Sequence, residues 1–263
     1  MAMKISTGFI TTKINGITIN TSKKCHSSNY QAYNSRNVKY VVMHYTGNKK
    51  DTASANANYF QSANRQASAH FFVDNNNIYQ SVALKNVAWH CGGSTYYHKT
   101  CRNSNSFGIE MCCTADNYKI SQQTIENAAY LCANLCKRIG ITASQVDTYV
   151  LRHYDITHKK CPAQMANSTN DADWVAFKKL VKKILGEKAT TSTATPTTAA
   201  FKVKVTTDVL NIRAGAGLKY DVVGSITDKG TYTIVETKKA DDLTWGKLKS
   251  GVGWISLYYT ERI

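Results

Sequence analysis

His44 closes an apolar run, Val38-Lys39-Tyr40-Val41-Val42-Met43. His153 follows a second, Tyr149-Val150-Leu151-Arg152, and Cys161 stands eight residues further on, directly before Pro162. Two imidazoles and a thiolate are donor types that a catalytic zinc accepts, with the fourth position left open for water. A loop of that length can bring Cys161 back to a metal at His153. The same three residues also suit unrelated polar or small positions, and spacing alone leaves both readings open. Glu110 raises a similar question. In the strand-like run Phe107 to Cys113, alternation puts Phe107, Ile109 and Met111 on one face and Gly108, Glu110 and Cys112 on the other. A lone carboxylate there either points to solvent or handles protons. Burial would lift its pKa towards neutrality, and a nearby metal would oppose that. Lys159, two residues before Cys161, could hold a fixed cation where negative charge develops. Its neighbour Lys160 competes for the role, and either could be a solvated loop lysine.

The elements that must position these residues can be read from periodicity. Val38 to His44 predicts a buried strand. Ala53 to Asn64 predicts a helix with Tyr59 and Phe60 facing inward. Ala69 to Asp74 and Ile78 to Val82 predict a hairpin about Asn75-Asn76-Asn77. Ser121 is a plausible N-cap for a helix reaching Arg138, with Ile125, Ala129, Cys132, Cys136 and Ile139 along one face. Asp173 to Leu185 predicts a last helix with Trp174, Phe177, Val181 and Ile184 inward. The mixture is α/β, a mixed sheet flanked by helices, over residues 1–186.

Residues 187–200 read Glu-Lys-Ala-Thr-Thr-Ser-Thr-Ala-Thr-Pro-Thr-Thr-Ala-Ala, a linker composition without a large apolar side chain. Beyond it the pattern changes. Val203–Val205, Val209–Ile212, Val222–Ile226, Tyr232–Val235, Trp245–Leu248 and Gly253–Leu257 predict short strands between Gly, Asp and Lys turns. Residues 201–263 therefore predict a second, small all-β domain.

The chain of 263 residues carries a formal charge of +16, mostly before Phe201. Such a balance favours a polyanionic partner but does not choose among nucleic acid, membrane and cell wall. No Lys/Arg run exceeds two residues, so the dense basic cluster of many nucleic-acid patches is missing. No apolar run approaches the ~20 residues of a membrane span. The N-terminus lacks the continuous apolar stretch of a secretory signal, which predicts synthesis in the cytoplasm. The eight cysteines include no CxxC pair, and apart from Cys161 each is expected to be a small, reduced, buried hydrophobe.

Five segments together resemble a known family. They are Val41-Val42-Met43-His44-Tyr45-Thr46, Ser68-Ala69-His70-Phe71-Phe72-Val73-Asp74, Val87-Ala88-Trp89-His90, Asn105-Ser106-Phe107-Gly108-Ile109-Glu110 and Arg152-His153 through Cys161-Pro162. In this order they are similar to the type-2 N-acetylmuramoyl-L-alanine amidases of phage endolysins and bacterial autolysins and to the related peptidoglycan recognition proteins. The resemblance implies one zinc held by His44, His153 and Cys161. It implies that Glu110 takes and returns the proton, that Lys159 stabilises the oxyanion, and that peptidoglycan is the substrate. Cys rather than Asp at position 161 favours zinc over harder metals. His70, Trp89 and His90 are implied near the substrate cleft, His70 more as a structural support of the site than as a catalytic group. Some relatives carry a catalytic Tyr before the first of these histidines, where this chain has Ala69. Asp155 is expected to orient a ligand histidine, and His26, His98 and His158 to lie on the surface.

Leu210-Asn211-Ile212-Arg213-Ala214-Gly215-Ala216-Gly217, Trp245-Gly246-Lys247-Leu248 and Gly253-Trp254-Ile255 resemble bacterial SH3-like (SH3b) domains. That resemblance implies a small barrel that binds peptidoglycan peptides, with Tyr220, Trp254, Tyr258 and Tyr259 as contacts and Trp245 in the core. The combined expectation is a lysin acting on the bacterial wall after release, by a phage or prophage route. A peptidoglycan-binding protein without hydrolysis is the alternative. Retention of His44, Glu110, His153 and Cys161 together argues against it.

Overall fold

The first apolar run forms strand β1 (Tyr40–Tyr45), fully buried but for its last residue. Four more strands join it: β2 (Phe71–Val73), β3 (Ile78–Gln80), β4 (Ser106–Met111) and β5 (Val150–Arg152). Their order is β5–β1–β4–β2–β3, with every neighbour parallel except the antiparallel β2–β3 hairpin. The hairpin turns on Asp74, whose Oδ1 accepts from the backbone N–H of Asn76 and Asn77 at 2.8 and 2.7 Å. The computed structural model describes residues 2–166, 171–186, 200–207, 209–217, 220–240 and 243–263. Of the linker read at 187–200, all but Ala200 lies outside them.

The chain divides into two compact units, Met1–Gly186 and Glu187–Ile263. In the first, the two faces of the sheet differ. Val41, Met43, Phe107, Ile109, Met111 and Val150 pack with Leu131, Leu135, Phe177 and Val181 from helices α2 (Gln122–Arg138) and α5 (Ala172–Gly186). Each such side chain contributes about 1.5–3 kcal/mol by leaving water. Ser121 caps α2, its hydroxyl accepting from the Thr124 N–H at 3.1 Å. The helix ends before Gly140, at φ +73°. Tyr40, Val42 and Leu151 face the other way, against Cys91, Cys101 and Ile156.

The helix read over 53–64 is shorter. α1 (Ala53–Tyr59) stops at Phe60, and Asn64 and Gln66 take positive φ, which a helix cannot continue through. Phe60 does turn inward, stacking on Phe72 at 5.4 Å, but Tyr59 is exposed. One further short helix, α3 (Val146–Tyr149), precedes β5. All eight cysteines are buried free thiols.

The second unit is all-β. Strands β6 (Phe201–Val205), β7 (Leu210–Arg213), β8 (Val222–Ile226), β9 (Thr231–Ala240), β10 (Leu243–Leu248), β11 (Trp254–Ser256) and β12 (Thr260–Arg262) are joined throughout by antiparallel pairing. Their order is β8–β7–β11–β10–β9–β6–β12. Two features differ from the sequence reading. β9 runs on past a register shift at Ile234/Glu236, with Lys238 and Lys239 paired to Trp245 and Thr244 of β10. The chain also adds β12, which alternation over so few residues did not signal. Trp245 fills the core, its indole N–H donating to the Ala240 carbonyl at 3.0 Å. Among the described residues, no helix is long and apolar enough to cross a membrane.

Candidate metal centre and active site

β1 and β4 run parallel with His44 directly opposite Glu110. Register partners on adjacent strands share a face at about 4.8 Å, so both point away from the apolar core. β5 ends one residue before His153, the first residue of α4 (His153–Thr157). Asp155 caps that helix by accepting from the Arg152 backbone N–H at 2.8 Å. α4 closes at His158 in the left-handed region, φ +60°. That turn sends the chain back, and the Tyr154 N–H donates to the Cys161 carbonyl at 3.0 Å. The candidate ligand residues thus arrive from the carboxyl ends of two parallel strands and one returning loop, where open α/β sheets place their sites.

His44, His153 and Cys161 are all buried, and one donor atom from each lies within 4.8 Å of the others. Cys161 Sγ is 3.8 Å from His44 Nδ1. Two ligands of a tetrahedral zinc, at ~2.0 Å for nitrogen and ~2.3 Å for sulfur, stand about 3.5 Å apart. The donor set therefore fits the metal.

The far side of each imidazole is already engaged. His153 Nε2 donates to the Gly92 carbonyl at 3.1 Å, which leaves Nδ1 for the site. His44 Nε2 meets His90 Nδ1 at 3.0 Å. Were a metal held at His44 Nδ1, Nε2 would carry the proton and donate it to His90. In that tautomer His90 would donate from Nε2 to Ser106 Oγ, 3.2 Å away. Ser106 in turn donates to the Arg102 carbonyl at 2.7 Å. Such a directed chain would set the tautomer of His44 for metal binding, as partners behind metal ligands commonly do.

Electrostatics keep the rings neutral, as metal binding requires. Burial, then the charges of His90, His153 and Lys159, hold His44 well below the usual imidazole range. Burial and Arg36 push His90 down to about 3. Burial pushes His153 down to about 4 against the pull of the Gly92 carbonyl. Cys161 is pushed up to about 12, by burial first and by Glu110 second. Loading a metal there must displace a proton, so affinity falls in acid.

Glu110 is half-buried as a residue, yet its Oε2 is sealed from solvent and no hydrogen-bond partner reaches it among the described residues. Burial raises its pKa to about 7 against the lowering effect of Lys159, with Asp51 adding to the rise. An orphaned carboxylate poised near neutrality suits a general base. Lys159 is exposed, and its charge is felt at His44, His153, Cys161 and Glu110 alike.

Residues 34–164 match the family described as N-acetylmuramoyl-L-alanine amidase. The matched stretch is just under half of the chain. Among curated relatives, the chain is 32% identical over 174 residues to the N-acetylmuramoyl-L-alanine amidase CwlL of Bacillus licheniformis, covering 63% of this chain and 46% of that protein. It is 30% identical over 246 residues to BlyA of Bacillus subtilis, covering 84% of this chain and 65% of that protein. The chain thus spans about half to two-thirds of these relatives. Among solved structures, a mutant endolysin from Bacillus subtilis aligns at 26% identity and TM-score 0.52, covering 63% of this chain and 99% of its own. The catalytic domain of PlyG aligns at the same identity and TM-score over 67% of this chain.

Within the first unit, several residues lie differently from the sequence reading. His70 is wholly buried and offers no surface to a substrate. Its Nδ1 accepts from the Gly108 N–H at 3.1 Å, and its Nε2 lies 2.8 Å from Arg36 and 3.1 Å from the Asn86 carbonyl. His90 is buried behind His44, its Nδ1 3.0 Å from His44 Nε2, and is not on an open surface. Trp89 is half-buried. Asp155 is taken up by Arg152, at 2.7 Å, and turns to neither histidine. His98 is half-buried, its Nδ1 accepting from Thr100 and Cys101. His26 and His158 are exposed. Sequence reasoning missed Gly92 and Ser106 as partners. A backbone carbonyl leaves no trace in residue type, but Gly108 offered a hint. A Cβ there would sit 2.5 Å from the His90 ring, so only glycine lets that histidine approach the sheet.

In the second unit Tyr258 is exposed, Tyr220 partly exposed and Trp254 half-buried under Lys247, 6.0 Å from its ring. Tyr259 is different. It is buried among Val203, Val205 and Ile255, so it is a core residue and not a wall contact.

Proposed function

We propose that the Met1–Gly186 unit is a zinc-dependent type-2 amidase hydrolysing the amide between the lactyl group of N-acetylmuramic acid and L-alanine in peptidoglycan. The observation that carries this reading is the convergence of His44, His153 and Cys161 beside the orphaned Glu110 carboxylate. Zinc, when bound there, supplies a positive charge that polarises the scissile carbonyl. Glu110 takes the proton of the attacking water and returns it to the departing alanine amine. Lys159 offers a cation to the oxyanion as it develops.

Residues 201–263 are proposed to be an SH3-like (SH3b) domain that holds the enzyme on its insoluble substrate through Tyr220, Trp254 and Tyr258. The all-β pairing and the Leu210–Gly217 segment support that reading. Lysis of a Gram-positive cell, as by an endolysin or autolysin, is the proposed outcome. The test is incubation of purified peptidoglycan with the protein, with and without a chelator. New N-terminal alanine should appear in step with loss of turbidity and should stop with the chelator. Solubilisation without new alanine amines would refute the bond assignment. Wall binding without any hydrolysis would favour the non-hydrolytic alternative.

A further inference from the structure

The segment from Gly92 to Lys99 is exposed but for the half-buried His98, yet it is tied down along its length. The Gly92 carbonyl accepts from the ligand His153. A Cβ on Gly93 would lie 2.8 Å from Thr157, so loop and α4 are in close contact. The backbone N–H groups of Tyr97 and His98 both donate to the Ile156 carbonyl, at 2.8 and 3.3 Å. At the loop's far end Arg102 donates to the carbonyls of His98 and Cys101.

This anchoring builds a column of flat groups beside the metal centre. The Arg152 guanidinium lies over the Tyr154 ring at 5.1 Å. Tyr154 stacks with His158 at 5.5 Å and 27°. His158 stacks on Tyr97 at 3.6 Å and 9°. His158 reaches its place because its left-handed backbone turns it out of α4, immediately before Lys159. Tyr97 ends the column. One face is covered by His158, yet the residue remains 57% exposed. Among the described residues no other ring or cation contacts it. A large aromatic ring held flat with one face bare is not explained by the packing of the domain.

We propose that the outer face of Tyr97, backed by His158 and Tyr154, is a subsite for a pyranose ring of the glycan strand next to the muramic acid being processed. This rests on the amidase reading given above. The scissile amide is attached to a sugar through one lactyl group, so saccharide must lie along the rim of the cleft. α4 joins His153 to this rim in five residues, about 7.5 Å of helix. The face of an aromatic ring is electron-rich and attracts the partly positive C–H groups of a sugar face. Because His158 fixes the ring beforehand, little side-chain freedom is lost on binding. A stem peptide fits less well, since among the described residues no cation lies over the ring to pair with a peptide carboxylate.

The test compares full-length wild type with Tyr97→Ala and Tyr97→Phe on two soluble substrates. One is a peptide-bearing GlcNAc–MurNAc tetrasaccharide; the other is a single N-acetylmuramoyl-peptide with no neighbouring sugar. Tyr97→Ala should raise KM for the tetrasaccharide about tenfold, the order expected on losing an aromatic stacking partner. Its kcat, and its KM for the single-sugar substrate, should stay at wild-type values. Tyr97→Phe should behave as wild type. Calorimetry with the peptide-free tetrasaccharide on Glu110→Gln, with and without Tyr97→Ala, reads the same contact without turnover. Equal KM for wild type and Tyr97→Ala on the tetrasaccharide, or an equal loss on both substrates, would overturn the subsite. If wild type cleaves neither substrate, the amidase reading fails, while the calorimetry still judges Tyr97.

Discussion

The two faces of the strand pair β1–β4 make opposite use of one periodicity. On one face Val41, Met43, Phe107, Ile109 and Met111 are sealed under α2 and α5. On the other, the same two strands carry His44, Gly108 and Glu110 towards His90, His153 and Cys161. The first face is held by area removed from water, a non-directional force. The second consists of buried polar groups, each costly unless partnered. Among the described residues, Glu110 Oε2 stands in that face sealed and without a hydrogen-bond partner. A rigid apolar face thus supports a face whose polar groups have been desolvated for reactivity.

The comparison breaks most completely at the ligands. Cys161→Ser should lose most of its zinc and all measurable amidase activity, read by metal analysis and by release of N-terminal alanine. Full zinc and full activity in that variant would void the ligand set. Glu110→Gln comes next. It should keep its zinc and its unfolding midpoint yet lose ~10²–10⁴-fold in rate. The pH profile carries the same point. Glu110 acts when ionised, and its pKa is raised to about 7. Below that value the protonated fraction grows, so kcat/KM should fall about tenfold per pH unit towards acid and level off above it. A profile flat from pH 5 to about 8 would move the base elsewhere.

On the apolar face the signature should invert. Ile109→Ala should cost about 2–5 kcal/mol in denaturant unfolding, as buried large-to-small changes do, with kcat of the folded fraction unchanged. A smaller effect belongs to the chain behind the metal. His90→Ala should weaken zinc binding ~10–100-fold with little change in unfolding midpoint, measured by competition with a chelating dye. The smallest effect should come from the second unit. Residues 1–186 alone should cleave soluble muropeptide at the full-length rate but clear intact cells more slowly at ~0.15 M salt, where charge attraction is screened. Unchanged clearing would remove the targeting role from residues 201–263 and leave the amidase reading intact.

Much of this was legible in order of residues. Strand alternation placed Glu110 opposite the core face of its own strand, because a period of two is local covalent geometry. Ser121 marked the start of α2, and the Asn75–Asn77 turn marked the hairpin, because caps and turns are satisfied by neighbours in sequence. The ligand trio was legible as residue types but not as a site. Strand pairing and a loop returning at His158 bring Cys161 Sγ to His44 Nδ1 across 117 positions.

What stayed hidden were roles that depend on which group lies behind which. His90 reads as a cleft residue until packing places it 3.0 Å behind His44, across 46 positions, in space that Gly108 leaves free. Tyr258 and Tyr259 are the same residue type side by side. A short turn at Leu257–Tyr259 exposes the first and buries the second, and no local pattern distinguishes them. Residue type and spacing determined which chemistry was available and which residues share a face, because those follow from the chain's own geometry. Only tertiary structure decided which groups are dry, which are bonded and which ring is left bare. Burial and hydrogen bonding are properties of neighbours distant in sequence, and backbone carbonyls such as that of Gly92 take part without any signature in the side chains.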